Sequence, residues 1–264
     1  MNKEQFIQKL TRKGSFLSLV DSHMHNEETV LPPVKGSFLR ASTILDVCPR
    51  EEFLCWKHNV IRHKVWNAKQ KKTFMVGRAF EAAMRDTVVG NIGVLLGRWQ
   101  CAKCQAEGID PRPRHPKPNH CYSCGHKDFI YLEEHVRNEE YGIEGHPDGF
   151  LEWEGKLFGL ECKTVANYFY KTVLKQPIDS HYAQIQLYMH ILGLKNWLIW
   201  YFNKETSSDL VHEVSYSPAY GAHIANKGLA LKKAFESGVA PVGMCSSSDC
   251  ERANKCVVAS QCFS

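Results

Sequence analysis

Residues 145–165 read GHPDGFLEWEGKLFGLECKTV. Two apolar-rich runs flank Glu154-Gly155, a pair suited to a tight hairpin turn, so the segment is expected to fold as two antiparallel strands. On the second strand Glu161 and Lys163 are one residue apart in the alternation, which puts both on one face while Leu160 and Cys162 point to the core. Asp148 stands at the Gly- and Pro-flanked start of the first strand, and the hairpin can return Glu161 to its side. Two carboxylates converging on one point repel each other unless a hard cation joins them, and Mg²⁺ takes few protein carboxylates plus water. A lysine beside them can orient a metal-bound water or stabilise negative charge developing on a phosphate. Taken alone, the Glu-x-Lys triplet reads as a surface ion pair, and its neighbours are what change that.

Working outward, Ser180 is a good N-cap for a helix reaching Leu192 and ended by Gly193. The runs NWLIWYFN and DLVHEVSY are expected strands around a polar turn at Lys204 to Ser208, and a last helix spans Pro218 to Ser237. Upstream, RASTILDVC suggests a helix with Ser42 as N-cap and Ile44, Leu45 and Cys48 on one face, broken or restarted by Pro49. A further helix is expected over Phe74 to Val88, and another over Lys3 to Leu10, followed by a polar stretch ending at LPPVKG. Helices alternating with hairpin strands imply an α/β fold with a mixed central sheet flanked by helices.

The whole composition agrees with an ordinary folded chain. At 264 residues, 44% hydrophobic and 11% aromatic, it can bury a core, so disorder and low-complexity scaffolding are excluded. The longest apolar run, Trp197 to Phe202, is far short of the ~20 residues a membrane helix needs. The opening MNKEQFIQKLTRKG lacks the apolar region of a signal peptide, so a cytoplasmic setting is expected. The count of 11 Cys is odd, which defeats a fully paired disulfide framework, and clustered thiols in a reducing compartment point to metal.

Between Gln100 and Lys127 the texture changes to Cys, Pro, His and Lys with almost no apolar periodicity. Cys101-x2-Cys104 and Cys121-x2-Cys124 are two knuckles at the spacing of a zinc ribbon, able to surround one tetrahedral Zn²⁺. His115, His120 and His126 are then bystanders. The tail carries Cys245, Cys250, Cys256 and Cys262, which by spacing alone could hold a second zinc. Cys55 and Cys162 read as small buried hydrophobes.

GHPDG, then ECKT, then QIQLY at Gln184 to Tyr188, together with GRAFE at Gly77 to Glu81, resemble in order the motifs of the PD-(D/E)xK nucleases, in their RecB-like and lambda-exonuclease-like branch. Gln184 and Tyr188 are four apart and share a helix face. The resemblance implies a restriction-endonuclease-like core, with Glu81, Asp148, Glu161 and the Cys162 backbone carbonyl as ligands of Mg²⁺ or Mn²⁺. It implies Lys163 as the group that positions water, and Gln184 and Tyr188 as contacts of the DNA backbone or orienters of the site. STILDVCPR, with Cys48, further resembles the segment of RecB-like nucleases, CRISPR-associated ones included, in which one upstream cysteine joins three near the C-terminus around a 4Fe-4S cluster. Cys48, Cys245, Cys250 and Cys256 match best, although the first tail gap is longer than in that pattern, and Cys262 could replace one of them.

The implied division is an N-terminal extension at 1–39, a nuclease core with an Fe-S staple at 40–98 and 129–264, and a zinc-ribbon insert at 99–128. The implied function is a metal-dependent DNA exonuclease acting on DNA ends or single strands in recombination, repair or end-processing in a phage or prokaryote, with recombination or replication proteins as candidate partners. Two rivals stand beside it: a CRISPR-adaptation nuclease, and a zinc-ribbon DNA-binding protein with an inactive centre. The charge distribution suits DNA. The net charge is only +5, yet Lys57 to Phe80 holds seven Lys/Arg and no Asp/Glu, and Pro111 to Lys127 holds four more with no acid. Either stretch could equally be a solvated basic face. Trp66 and the run Tyr168-Phe169-Tyr170 are candidates for base stacking, or for the core.

Overall fold

The computed structural model describes residues 38–107 and 114–264, together with 20, 23, 24 and 28–31. The helix expected at Lys3 to Leu10 lies outside the described residues. The architecture is the expected mixed α/β one. Its main sheet contains β4 (Leu95–Cys101), β5 (His115–Pro116), β9 (Gly149–Trp153), β10 (Lys156–Val165), β11 (Asn196–Asn203) and β12 (Asp209–Ser215), in the order β12-β11-β10-β9-β4-β5. A further strand, β6 (Phe129–Leu132), also pairs with β4. Small sheets join β2 (Leu39–Arg40), β8 (Ile143–Gly145) and β7 (Val136–Asn138), and β1 (Glu28–Leu31) with β3 (Arg62–Val65).

β9 and β10 form the expected hairpin, turning through Glu154 and Gly155, both at positive φ. β10 then runs parallel to β11, which requires a crossover; α3 (Asn167–Val173) and α4 (Asp179–Leu192) supply it. In β11 every second residue is buried: Trp197, Ile199, Tyr201 and Asn203. These face the larger core, where Ile185, Leu187 and Met189 of α4 meet Ile224, Leu231 and Phe235 of α5 (Pro218–Ser237). At its centre Trp197 lies flat against Tyr188, with ring centroids 5.4 Å apart, and over Gly159, where a β-carbon would come within 2.2 Å of the indole.

The opposite face of the sheet carries a smaller core of Leu95, Trp99, Tyr131, Phe158, Leu160 and Cys162. Leu160 and Cys162 do point into a core, as the alternation implies, but the register Glu161↔Ile199 and Lys163↔Tyr201 turns the other face of β10 toward the larger core under α4. β10 is therefore covered on both faces, as parallel-paired strands usually are.

Three helix boundaries differ from the sequence reading. Over Arg40 to Cys48 there is only a 3₁₀ turn at Ala41–Thr43, with Ser42 inside it rather than capping a longer helix. The cause is non-local: Leu39 and Arg40 pair with Ile143 and Glu144, which keeps the chain extended up to Ala41. Pro49 then sets the next start, since the residue before a proline avoids helical backbone. Cys48 is extended and α1 (Pro49–Lys57) begins with the proline in its first turn. α2 begins earlier than expected, at Ala68, because Asn67 and Gln70 form a reciprocal cap at 2.9 and 3.0 Å. It runs to Ala82 and widens into a π-helical stretch over Ala83–Val89. The tail also contains two short helices, α6 (Glu251–Lys255) and α7 (Ala259–Phe263). Ser180 is not the cap of α4; Ile178 occupies that position, one residue before Asp179. Among the described residues no helix is long and apolar enough to cross a membrane.

Candidate active site

Gly149 pairs with Leu160, so one step further along the hairpin Asp148 faces Glu161. Both are buried, Glu161 to 1% exposure. The Cys162 N–H donates to Asp148 Oδ2 at 2.6 Å, which locks the aspartate against β10. Glu161 Oε1 accepts from Gln184 Nε2 at 2.8 Å and pairs with Lys163 Nζ. Glu161 Oε2 is buried with no hydrogen-bond partner. A buried carboxylate oxygen without a donor is costly, and a cation would relieve it.

The electrostatics agree. Burial, and then the neighbouring Glu161, push the Asp148 carboxyl well above the usual carboxylate range, against the pull of Lys163. For Lys163 burial works against the charge, but Glu161 and Asp148 outweigh it and hold the ammonium above the ordinary lysine range. Glu81 arrives from α2, which lies against β10 where Gly77 faces Thr164. Burial raises its pKa, opposed by Arg85 and reinforced by Glu133 and Glu161. The same four residues named from the sequence, Glu81, Asp148, Glu161 and Lys163, thus share one electrostatic neighbourhood.

Arg85 is the residue that sequence reasoning missed. Its guanidinium is buried and Nη1 donates to Glu81 Oε1 at 3.1 Å, Glu133 Oε1 at 2.9 Å and the Asp148 carbonyl at 3.3 Å, while Nε reaches Asp86 at 2.6 Å. It also lies over the Tyr131 ring, 4.8 Å from the centroid. It sits in the π-helical stretch after Glu81, and the four-residue spacing between the two was the available signal.

Gln184 and Tyr188 do share a face of α4, as their spacing requires, and both are buried. The Tyr188 hydroxyl occupies the space beside Gly145, where a β-carbon would be 2.4 Å away. So placed, Gln184 bonds the Glu161 carboxylate directly, while Tyr188 packs one helical turn further along α4. One turn before Gln184 on α4, His181 Nδ1 meets the Tyr201 hydroxyl at 2.8 Å, and burial followed by the Lys163 charge lowers its pKa to about 3.

The four cysteines of the two Cys-x2-Cys pairs come together. Their sulfurs lie within 4.8 Å of one another, with Cys101 to Cys124 and Cys104 to Cys121 both at 3.6 Å, close enough to share one metal ion. The two knuckles are built alike. Gln105 N–H returns to the Cys101 carbonyl at 3.0 Å and Gly125 N–H to the Cys121 carbonyl at 2.8 Å, each through a left-handed residue, Gln105 at φ 61° and Gly125 at φ 71°. The Cys104 N–H, against burial and helped by the Lys103 N–H, brings the Cys101 thiol down to about 6. Cys101 is also the last residue of β4, so the first knuckle continues directly from the main sheet.

At the other end of the chain Cys48, Cys245, Cys256 and Cys262 line one cavity with Met244, while Cys250 caps α6 by accepting from the Ala253 N–H at 3.3 Å. Three cations converge on this region. Arg50 donates to the Cys262 carbonyl at 3.0 Å, Lys227 to the Ile44 carbonyl at 3.0 Å, and Arg252 to the Asp46 carbonyl.

No protein-family model and no curated protein matches the chain. Among solved structures it is similar to LHK-Exo, an alkaline exonuclease from Laribacter hongkongensis, at 14% identity over 77% of this chain and 90% of that one. The TM-score is 0.48 for the complex of that enzyme with dAMP and 0.45 for a second structure of it. A crystal structure of SSO0001 is similar at 12% identity and a TM-score of 0.39, over 84% of each chain.

Proposed function

We propose that the chain is a divalent-metal-dependent DNA exonuclease of the PD-(D/E)xK kind, hydrolysing phosphodiester bonds at DNA ends or in single strands. The observation that carries this reading is the buried carboxylate pair Asp148 and Glu161, with the second oxygen of Glu161 left without a donor and Lys163 at its side. Hard oxygen donors in a dehydrated pocket suit Mg²⁺ or Mn²⁺. Glu81, Asp148, Glu161 and the Cys162 carbonyl would hold the ion, which when bound supplies an activated water and charge neutralisation at the phosphate.

The remaining work falls to the chain itself. Lys163, kept charged by its carboxylate neighbours, is in position to orient the attacking water or a phosphate oxygen. Gln184 fixes one oxygen of Glu161, which aims the other at the pocket. Arg85 holds Glu81 and the Asp148 backbone, and so preserves the spacing of the carboxylates. In this reading residues 40–98 and 129–264 are the nuclease core, 99–128 a zinc ribbon held by Cys101, Cys104, Cys121 and Cys124, and 1–39 an extension. Incubating end-labelled single- and double-stranded DNA with the protein and Mg²⁺ or Mn²⁺ tests it. Release of nucleotides that stops with EDTA is expected; intact DNA under every condition would leave a DNA-binding protein without catalysis.

We propose further that the tail cysteines hold a 4Fe-4S cluster. Four cysteines bordering one cavity supply the soft donors it needs; Arg252 lines the same cavity with Glu51, and Arg50 and Lys227, bonded to carbonyls around it, would add positive charge near a thiolate-bound cluster. Held there, it would tie Cys48, before α1, to the C-terminal segment. Protein purified anaerobically is expected to be brown, with absorbance near ~400 nm. Cys48→Ser should remove colour and iron together. Comparing Cys250→Ser with Cys262→Ser then identifies the cysteine left out, and a colourless protein with a second zinc would overturn the assignment.

A further inference from the structure

A surface groove is lined by Ala68, Lys69, Lys72, Thr73 and Val76 of α2, the helix that carries Glu81, and by Lys204, with no acidic side chain among its lining residues. Its position is set by two anchors. The Lys204 N–H donates to the Val165 carbonyl at 3.2 Å, which fixes Lys204 at the end of β10, two residues beyond Lys163. Phe80 of α2 stacks on Phe202 of β11 with centroids 4.2 Å apart, which fixes the helix against the sheet. Along α2, Lys69 and Lys72 lie roughly 13–18 Å from Glu81 at ~1.5 Å of rise per residue. That length corresponds to about four or five stacked nucleotides at ~3.4 Å each.

The turn that carries Lys204 also carries a pair of rings. The Asn167 N–H donates to Glu205 Oε1 and its Oδ1 accepts from Asn203 Nδ2, both at 3.1 Å, so the start of α3 is pinned there. Tyr168 and Phe169 follow, 82% and 50% exposed, edge to face with centroids 5.0 Å apart. Rings this exposed add little to folding, and they follow directly on the residue pinned to the turn of Lys204, one of the three lysines of the groove. Lysines can neutralise successive phosphates, and exposed aromatic faces accept bases that a duplex keeps stacked internally.

We infer that this groove and the Tyr168–Phe169 pair form a binding track for a single DNA strand, leading its end along α2 to the carboxylate pocket. The direction of the track rests on the nuclease reading; the binding does not, and it is measured without metal. The probe is a labelled oligothymidine, compared with a duplex of equal length by fluorescence anisotropy in EDTA over a salt series. Changing Lys69, Lys72 and Lys204 together to Ala is expected to reduce the slope of log affinity on log salt by about 2, at ~0.7 per phosphate contact. Tyr168→Ala with Phe169→Ala should weaken oligothymidine binding by about tenfold or more, with the salt slope unchanged and the duplex little affected. Wild-type affinity in both variants, or an equal loss for duplex and single strand in the ring variant, overturns the track. Binding that depends on these residues in a chain that never degrades DNA would sink the nuclease reading alone. Degradation by a chain whose two variants bind as wild type would sink the track alone.

Discussion

Replacing Asp148 by asparagine is expected to stop DNA degradation and at the same time to raise the melting temperature of the metal-free protein. The first effect follows from the proposed ion site. Asparagine removes one of its negative ligands, and loss of a group that acts on developing charge typically lowers turnover by ~10²–10³-fold or more. The second follows from the same burial. Asp148 and Glu161 face each other in a dehydrated pocket, and the elevated pKa of Asp148 measures what its ionised form costs the folded state. Asparagine keeps an oxygen to accept the Cys162 N–H, so the hairpin should survive while the repulsion is lost. A gain of about 1 kcal/mol is expected, a few degrees for a chain of this size, as at other sites where function opposes stability.

The pH dependence has a definite sign. A carboxyl whose folded pKa lies above its unfolded value imposes no penalty below about pH 4, and a growing one as pH rises through the folded value. In EDTA the gap in melting temperature between variant and wild type should therefore widen from acid toward alkaline pH. Mg²⁺ favours the ionised form, so it should raise the wild-type value and leave the variant unmoved. Melting curves with EDTA and with Mg²⁺ read this directly. A variant less stable than wild type in EDTA at pH 8 would remove the repulsion argument, and undiminished degradation would remove Asp148 from the metal site.

The second large effect is expected at the proposed zinc ribbon. Cys121→Ser should reduce bound zinc from about one ion per chain to almost none, because serine offers a poor ligand in a thiolate site. Structural zinc in small fingers contributes ~10–16 kcal/mol of apparent binding energy that is also folding energy, so the knuckles should open. The damage should stay local. Trp99 and Tyr131 lie on paired strands and are packed in the smaller core, with centroids 5.2 Å apart, just inside the knuckles. Tryptic cleavage at Lys103 and Lys127 is expected to accelerate by at least ~10²-fold, while the main melting transition moves little. Metal analysis and limited proteolysis measure both. Zinc content unchanged in the variant would refute the assignment of Cys121.

Much of this molecule is written in short-range patterns. The Glu154-Gly155 turn, the alternation of β11 and the helix from Pro218 to Ser237 are local signals, and the structure contains each of them. The two Cys-x2-Cys knuckles are equally local: each needs only a left-handed residue after its second cysteine, and the chain supplies Gln105 and Gly125. The approach of Asp148 to Glu161 also follows from a single hairpin. The early start of α2 was a local signal passed over, the cap formed by Asn67 and Gln70, but elsewhere a distant partner had decided the outcome. The helix expected from Arg40 is overruled by pairing of Leu39 and Arg40 with β8, about a hundred residues on. The tail helices are too short to declare a periodicity, and they lie against residues from the other end of the chain.

Sequence alone determined which residues could meet, because strand alternation, helix spacing and cysteine spacing are properties of neighbouring positions. Only the tertiary structure decided how those residues are surrounded. It turned the face of β10 bearing Glu161 toward the larger core, brought Gln184 and Arg85 onto the carboxylates, and left one oxygen of Glu161 without a donor. Burial and the supply of hydrogen-bond donors depend on what packs over a strand from far along the chain. No local pattern encodes them, yet they are what give a Glu-x-Lys triplet its chemistry.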